Sequence, residues 1–370
     1  MDDESPGANN VIVTFGEIMA RMAPPGVLRL CQTLPGSLDV TFAGAEANVS
    51  ASLAMLGAST RFITALPDNN PLTDACLKDL RGFGIDVSKI RVVPQGRFGI
   101  YFVETGANQR PSRVTYDRQY SAISLATPDD FDWACIFDKA AWLHITGITP
   151  ALSSSAASVT LEAVRQARAA GVRVSCDVNF RSTLWRWDAQ KAPAELAGTT
   201  LRQLMPYINM FSAGEEDCRL IGMNTAGLPS YESQPVAHQT ELASRIVDAW
   251  PDIEVVSMTW RQSHSASHNN WGGGLFDAGS QKFYYAPNVD GEFKPYEIRS
   301  IVDRVGGGDA HMAALLYGLN SAQFPDFQAI VEFATAASCL AHSVVGDFNF
   351  ASQTEIAELV AGSGSGRVVR

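Results

Sequence analysis

What the sequence lacks narrows it before any motif is read. Its six cysteines, Cys31, Cys76, Cys135, Cys176, Cys218 and Cys339, form no C-x-x-C pair and keep no histidine at metal-ligand spacing, which argues against both a zinc site and a disulfide framework. Basic charge is scarce. The 28 Lys plus Arg against 39 Asp plus Glu leave a net charge of −11, and no broad basic face for nucleic acid is expected. No apolar run approaches the ~18 residues of a membrane span, and MDDESPGANN has neither the basic start nor the apolar stretch of a signal peptide. A cytoplasmic protein with no membrane and no nucleic-acid partner is the expectation. Charged residues make up only 18% against 46% hydrophobic, a balance that supports a large core. The acidity also sets a problem, because a protein of this charge that handles an anion must concentrate positive potential locally.

Apolar periodicity predicts an α/β fold. VIVTF (11–15) and RFITAL (61–66) read as buried strands, and the segment from Gly44 to Gly57 places Val49, Leu53 and Leu56 at helical spacing. From Trp142 the pattern alternates: WLHIT, a helix over 155–170, VRVSCDV, a helix over 191–205, INMFS, a helix over 215–222, then EVVSMT at 254–259. Such alternation predicts a mostly parallel sheet with helices on both faces and ligands at the carboxyl ends of its strands. Segments 18–42 and about 95–120 break the pattern with alternating LDVTF, RFGIYFVE and RVTYD, and are grouped as a small β lid. Residues 224–240 are expected as a surface insertion before a helix near Glu241, and SHSASHNNWGGG (263–274) as a loop. One domain over 11–363 is predicted, with tails at 1–10 and 364–370.

The most informative segment is IVDRVGGGDAHMAALLYGL (301–319), which reads as a strand, three glycines and a helix with Ala310, Ala313, Ala314 and Tyr317 on one face. Gly306, Gly307 and Gly308 let backbone N–H groups converge on an anion with no Cβ in the way, and the helix dipole adds roughly half a positive charge there. Asp309 follows at once. On these residues alone it serves equally as a helix cap or as the base that takes a proton from an attacking hydroxyl. The segment is neither a Walker loop nor G-x-G-x-x-G.

DRVGGGDA (303–310), with AGAEANVSASLAMLG (43–57) far upstream, resembles the paired signatures of the ribokinase-like (PfkB) sugar kinases. GEIMARMAPPG (16–26), ETGANQRPSRVTYDR (104–118), HITGITPALS (144–153), DVNFRSTLW (177–185) and GDFN (346–349) further resemble the 2-keto-3-deoxygluconate kinases within that family. The resemblance implies a three-layer α/β/α ribokinase-like fold with a small β lid, and ATP-dependent phosphorylation of the 6-hydroxyl of a sugar acid. It implies that Asp309 is the general base and Gly306, Gly307 and Gly308 the anion hole. Gly44, Asn48, Tyr101, Tyr116, Arg118 and Asp347 match substrate-binding positions, and Asn179, Arg181, Thr259 and Arg261 match positions near the nucleotide. Arg118 suits the role, since a guanidinium grips a carboxylate through two parallel hydrogen bonds. Mg²⁺ is implied as a bridge between phosphates, held mainly by phosphate and water and not by a protein cage. The partners implied are a sugar acid and ATP, and an exposed lid edge suggests a homo-oligomer.

Four residues depart from the pattern. Ala43 replaces a glycine, Gly214 an asparagine before Glu215, Glu216 and Asp217, His311 a phenylalanine, and Ala341 a lysine before His342. Together they leave open reduced activity or a related sugar acid as substrate, and Gly214 and Ala43 also suit a sugar-acid or nucleotide binding protein with weak catalysis; the nearest other enzyme is a kinase of a neutral sugar.

Overall fold

Strand and helix alternate to build a nine-stranded sheet in a computed structural model that describes residues 10–362. Its strands are β1 (Val11–Phe15), β4 (Thr60–Ile63), β9 (Ala140–Thr146), β10 (Arg173–Asp177), β11 (Met210–Ser212), β12 (Val255–Ser265), β13 (His268–Asp277), β14 (Lys282–Ala286) and β17 (Tyr296–Ile298). The order is β14-β13-β12-β11-β10-β9-β1-β4, with β17 on the far part of β13. From β4 to β12 every pairing is parallel, whereas β13 pairs antiparallel with β12, β14 and β17. Ile12 and Val13 show why both faces are covered, because successive strand residues point to opposite sides. Ile12 packs in one cluster with Trp142, Leu316 and Val331, and Val13 in another with Leu143, Val159 and Ala163. Helices Ala45–Met55, Gly307–Asn320 and Phe327–Ala341 supply the first cluster, and Ser154–Ala169, Pro193–Leu204 and Pro235–Ala249 the second. This is the three-layer α/β/α arrangement expected.

A separate four-stranded sheet forms from β2 (Met19–Ala23), β3 (Asp39–Ala43), β7 (Gly99–Glu104) and β8 (Arg113–Asp117), in the order β3-β2-β7-β8. Apart from Ala43, these strands fall within the two segments grouped as the lid. Two short ribbons complete the strands: β5 (Ala65–Pro67) with β6 (Arg91–Val93), and β15 (Asn288–Val289) with β16 (Glu292–Phe293).

Four local expectations need correction. RFITAL is not one strand: Thr60–Ile63 lies in the central sheet and Ala65–Pro67 in the ribbon with β6. The stretch 263–274 is mostly strand, since β12 runs to Ser265 and β13 starts at His268. Its glycines mark close packing instead of a turn: a Cβ on Gly274 would lie 2.2 Å from Phe283 Cζ, and one on Gly272 2.5 Å from Phe293 Cζ. The helix expected near Glu241 begins at Pro235, a residue pre-set for the first helical position. Residues 301–305 form no strand, because the Asp303 carboxylate accepts the N–H groups of Arg304 (2.8 Å) and Val305 (3.2 Å) and turns the chain. The expected tails, and the domain end at 363, lie outside the described residues except for Asn10, whose N–H donates to the Lys139 carbonyl at 3.2 Å.

Candidate active site

The carboxyl ends of β9 to β12, the start of the Gly307–Asn320 helix and the lid enclose a cavity of about 900 Å³. All fourteen residues singled out in the sequence line it: Gly44, Asn48, Tyr101, Tyr116, Arg118, Asn179, Arg181, Thr259, Arg261, Gly306, Gly307, Gly308, Asp309 and Asp347. They come from seven separate stretches of chain, so their meeting is a product of the fold.

The glycine run is built from unequal parts. Gly306 holds φ +85°, and a Cβ there would lie 2.1 Å from the Asp347 carbonyl oxygen, so backbone meets backbone at this point. Gly307 and Gly308 open the helix, and a Cβ on Gly308 would meet nothing within 4 Å. First-turn N–H groups have no partner within their own helix, and here they border the cavity.

Asp309 occupies the same first turn and is buried. Asn48 Nδ2 donates to its Oδ2 across 2.6 Å, while Asn48 Oδ1 accepts the Gly44 N–H at 3.2 Å. Burial pushes the Asp309 carboxyl up to about 7; the charges of Asp347 and Glu46 add to the rise, and the Asn48 hydrogen bond and Arg181 oppose it. Asp177, at the end of β10, is also raised to about 7 by burial, then by Asp309 and Asp217. Asn179 follows with φ +40°, a left-handed conformation in which its N–H donates to Asp177 Oδ1 at 3.2 Å. The site therefore holds carboxyl groups poised to exchange protons near neutrality.

Its cations divide into free and committed groups. Arg181 and Arg261 are exposed at the cavity, as is Thr259, and Arg181 Nη1 donates to the Phe180 carbonyl at 3.1 Å. Arg118 is buried, pairs with Glu17, and lies 5.1 Å above the Tyr116 ring. Asp347 is committed too: Tyr101 donates its hydroxyl to Oδ2 at 2.8 Å, and Oδ1 pairs with Arg21. Arg21 pairs in addition with Asp303.

The departures have local explanations. Ala43 is buried at the end of β3 with Met19, Tyr101 and Val103. Gly214 leaves the capping of the Glu215–Leu220 helix to Asp217, whose Oδ2 accepts the Gly214 N–H at 2.8 Å. His311 is buried against Gly273 and Thr335, and desolvation, opposed by the Ala334 backbone, lowers its pKa to about 4. Ala341 is a buried helix residue, and neighbouring His342 donates from Nδ1 to the Ser338 carbonyl at 2.8 Å.

Sequence reasoning did not single out Arg21, Glu17, Glu46, Asp177 or Asp303. A charged residue within an apolar strand or small-residue helix, as in MARMA and AGAEAN, was the available signal. Glu46 shows its force: Oε1 accepts the hydroxyls of Thr146 (2.7 Å) and Thr149 (3.0 Å) in the interior, and burial raises its pKa. Among the described residues, no group of three or more His, Cys, Asp or Glu side chains is placed to hold a metal ion. No helix among them is long and apolar enough to cross a membrane.

The chain shares its fold with phosphotransferases that act on an alcohol group, and its relatives place it in that class. The model of the pfkB family carbohydrate kinases matches residues 9–224, and the chain belongs to that family. A solved 2-dehydro-3-deoxygluconokinase from Thermotoga maritima is 41% identical, with a TM-score of 0.83 over 95% of this chain and 100% of that one. A pfkB family carbohydrate kinase from Listeria grayi is 32% identical, with a TM-score of 0.83 over 95% and 99% of the two chains. A 2-dehydro-3-deoxygalactonokinase of Haloferax volcanii is 29% identical over 96% of this chain and 98% of its own length.

Proposed function

We propose that this kinase transfers the γ-phosphoryl group of ATP to the 6-hydroxyl of 2-keto-3-deoxygluconate, giving 2-keto-3-deoxy-6-phosphogluconate. The observation that carries the reading is Asp309: a buried carboxyl near pKa 7, held by Asn48, one residue past a glycine-led helix start. In its ionised form Asp309 takes the proton of the 6-hydroxyl as that oxygen attacks, a contribution of ~10² to 10⁴ in rate. Gly306, Gly307 and Gly308 receive the charge that gathers on the phosphoryl oxygens. Arg181, Arg261 and Thr259 face the nucleotide, with Asn179 on the same rim. The lid supplies Tyr101, Tyr116 and Arg118 for the sugar acid, while Gly44 and Asn48 hold its other side.

Mg²⁺ fits this site as a companion of the nucleotide. The hard oxygen donors Glu216 and Asp217 line the cavity on the Arg181 side, and they would hold the ion through water while the phosphates bind it directly. When bound, it neutralises charge on the phosphates.

The galactonate epimer is a second reading, supported by the Haloferax relative's name and its coverage of nearly the whole chain. A coupled ADP-release assay with each sugar acid, and with fructose and ribose as neutral controls, separates these possibilities. Turnover with a sugar acid that is lost in Asp309→Asn is expected. Turnover confined to neutral sugars, or no phosphate transfer despite calorimetric binding, would overturn the reading. The lid sheet ends at β3 and β8, each paired on one side only, and we extend the proposal to a homo-oligomer in light scattering.

A further inference from the structure

Arg21 lies on β2 of the lid, in register with Thr41 of β3 and Tyr101 of β7, yet its guanidinium is directed inward and is only 3% exposed. One terminal nitrogen, Nη2, pairs with Asp303 Oδ2 and the other, Nη1, with Asp347 Oδ1. Each carboxylate is held on its other side. Asp347 Oδ2 accepts the Tyr101 hydroxyl at 2.8 Å, and Asp303 Oδ1 accepts the N–H groups of Arg304 and Val305 at 2.8 and 3.2 Å. Asp303 thus shapes the two residues before Gly306, and the Asp347 carbonyl oxygen is the atom against which Gly306 packs. One side chain of the lid consequently grips both segments that fix the backbone of the glycine run. Two buried carboxylates at such a place are costly unless a cation and donors satisfy them, and here they are satisfied without any ligand.

We infer that Arg21 is a positioning residue: it braces the lid to the phosphate-binding turn and holds Gly306 to Gly308 in order before substrate arrives. The inference rests on the kinase reading for its kinetic consequence, though not for its structural one. Lysine cannot replace the brace in full, because a single ammonium lacks the planar fork that reaches two carboxylates at once.

The test compares Arg21→Met, Arg21→Lys and the double variant Arg21→Met/Asp303→Asn in the full chain. Arg21→Met is expected to lower kcat by about 100-fold, the scale of a misplacement near 1 Å, with a smaller change in KM for the sugar acid. Arg21→Lys should lie between Arg21→Met and the wild type. In the double variant the excess buried charge is gone, so melting temperature recovers while kcat stays low. Recovery of kcat in the double variant would show that Arg21 only neutralises charge, and would overturn the inference. So would a kcat for Arg21→Met within threefold of wild type. Hydrogen–deuterium exchange of the unliganded proteins supplies the reading free of substrate. In the double variant, and in Arg21→Lys if Arg21→Met does not fold, amides of 303–309 should exchange faster while those of β9 and β10 do not. Unchanged exchange at 303–309, or a rise everywhere alike, counts against the brace even if the sugar acid has been misidentified.

Discussion

Asn48 donates its side-chain amide to the Asp309 carboxylate across 2.6 Å, joining the helix that starts at Ala45 to the one that starts at Gly307. A hydrogen bond to the ionised form favours that form, so Asn48 holds down a pKa that burial raises to about 7. The acidic limb of kcat against pH should therefore fall near pH 7, with activity lost below it. Asn48→Ala removes the donor and should move that limb to higher pH. A limb unmoved in the variant would show that Asp309 is not the titrating base.

Ionised Asp309 is also a cost to the fold. Its pKa is higher folded than unfolded, so the stability linked to its proton is present below the unfolded value near 4 and is lost as pH rises through about 7. Asp309→Asn should raise the melting temperature by several degrees at pH 8, with the gain shrinking toward pH 4, while turnover falls ~10² to 10⁴-fold. Thermal melts across this range, beside the kinetic assay, check both halves.

Gly306 and Gly308 should respond differently to the same added methyl. Gly306→Ala places a Cβ 2.1 Å from the Asp347 carbonyl oxygen at φ +85°, and should lower both melting temperature and activity. Gly308→Ala meets nothing within 4 Å, so the melt should be nearly unchanged. The methyl enters the space proposed for phosphate, and KM for ATP should rise or kcat fall. Equal melting losses in the two variants would contradict this division.

Arg118 already answers Glu17, so its removal has two consequences. Arg118→Ala leaves Glu17 buried without its cation and should lower the melting temperature, at a cost of ~3 to 5 kcal/mol. It should also raise KM for the sugar acid. Arg118→Ala/Glu17→Gln should restore the melt but not KM, and a restored KM would remove Arg118 from sugar-acid recognition.

His311 titrates in the opposite sense to Asp309. Desolvation takes its pKa from 6.5 to about 4, so it does not affect stability above 6.5 and destabilises the fold as pH falls toward 4. The shift corresponds to roughly 3 kcal/mol at the acid end. His311→Leu, close in volume and free of polar atoms, should gain melting temperature over wild type as pH drops from 7 to 4. A constant difference across that range would assign the effect to packing alone.

The glycine run and Asp309 were legible in the sequence because they are consecutive, and a helix start has a local signature. The parallel sheet was legible for the same reason, since each strand and helix carries its own period. Arg21 was not, because its partners lie 282 and 326 positions away and nothing local in MARMA names them. β13 was read as a loop because Gly272, Gly273 and Gly274 are turn formers by composition. Only the rings of Phe293, His311 and Phe283 packed over them reveal a strand. Asp347 was legible as a site residue, but not its engagement with Tyr101 and Arg21.

Asp177 and Asp309, both near pKa 7, have a thermodynamic consequence for ligand capture. At neutral pH the pair is partly protonated, and each proton it carries reduces the site's own negative charge before an anion enters. A ligand that brings positive charge expels those protons, and one that brings negative charge draws more in. The heat of binding will then vary with the ionisation enthalpy of the buffer, and its slope counts the protons exchanged when the cavity fills.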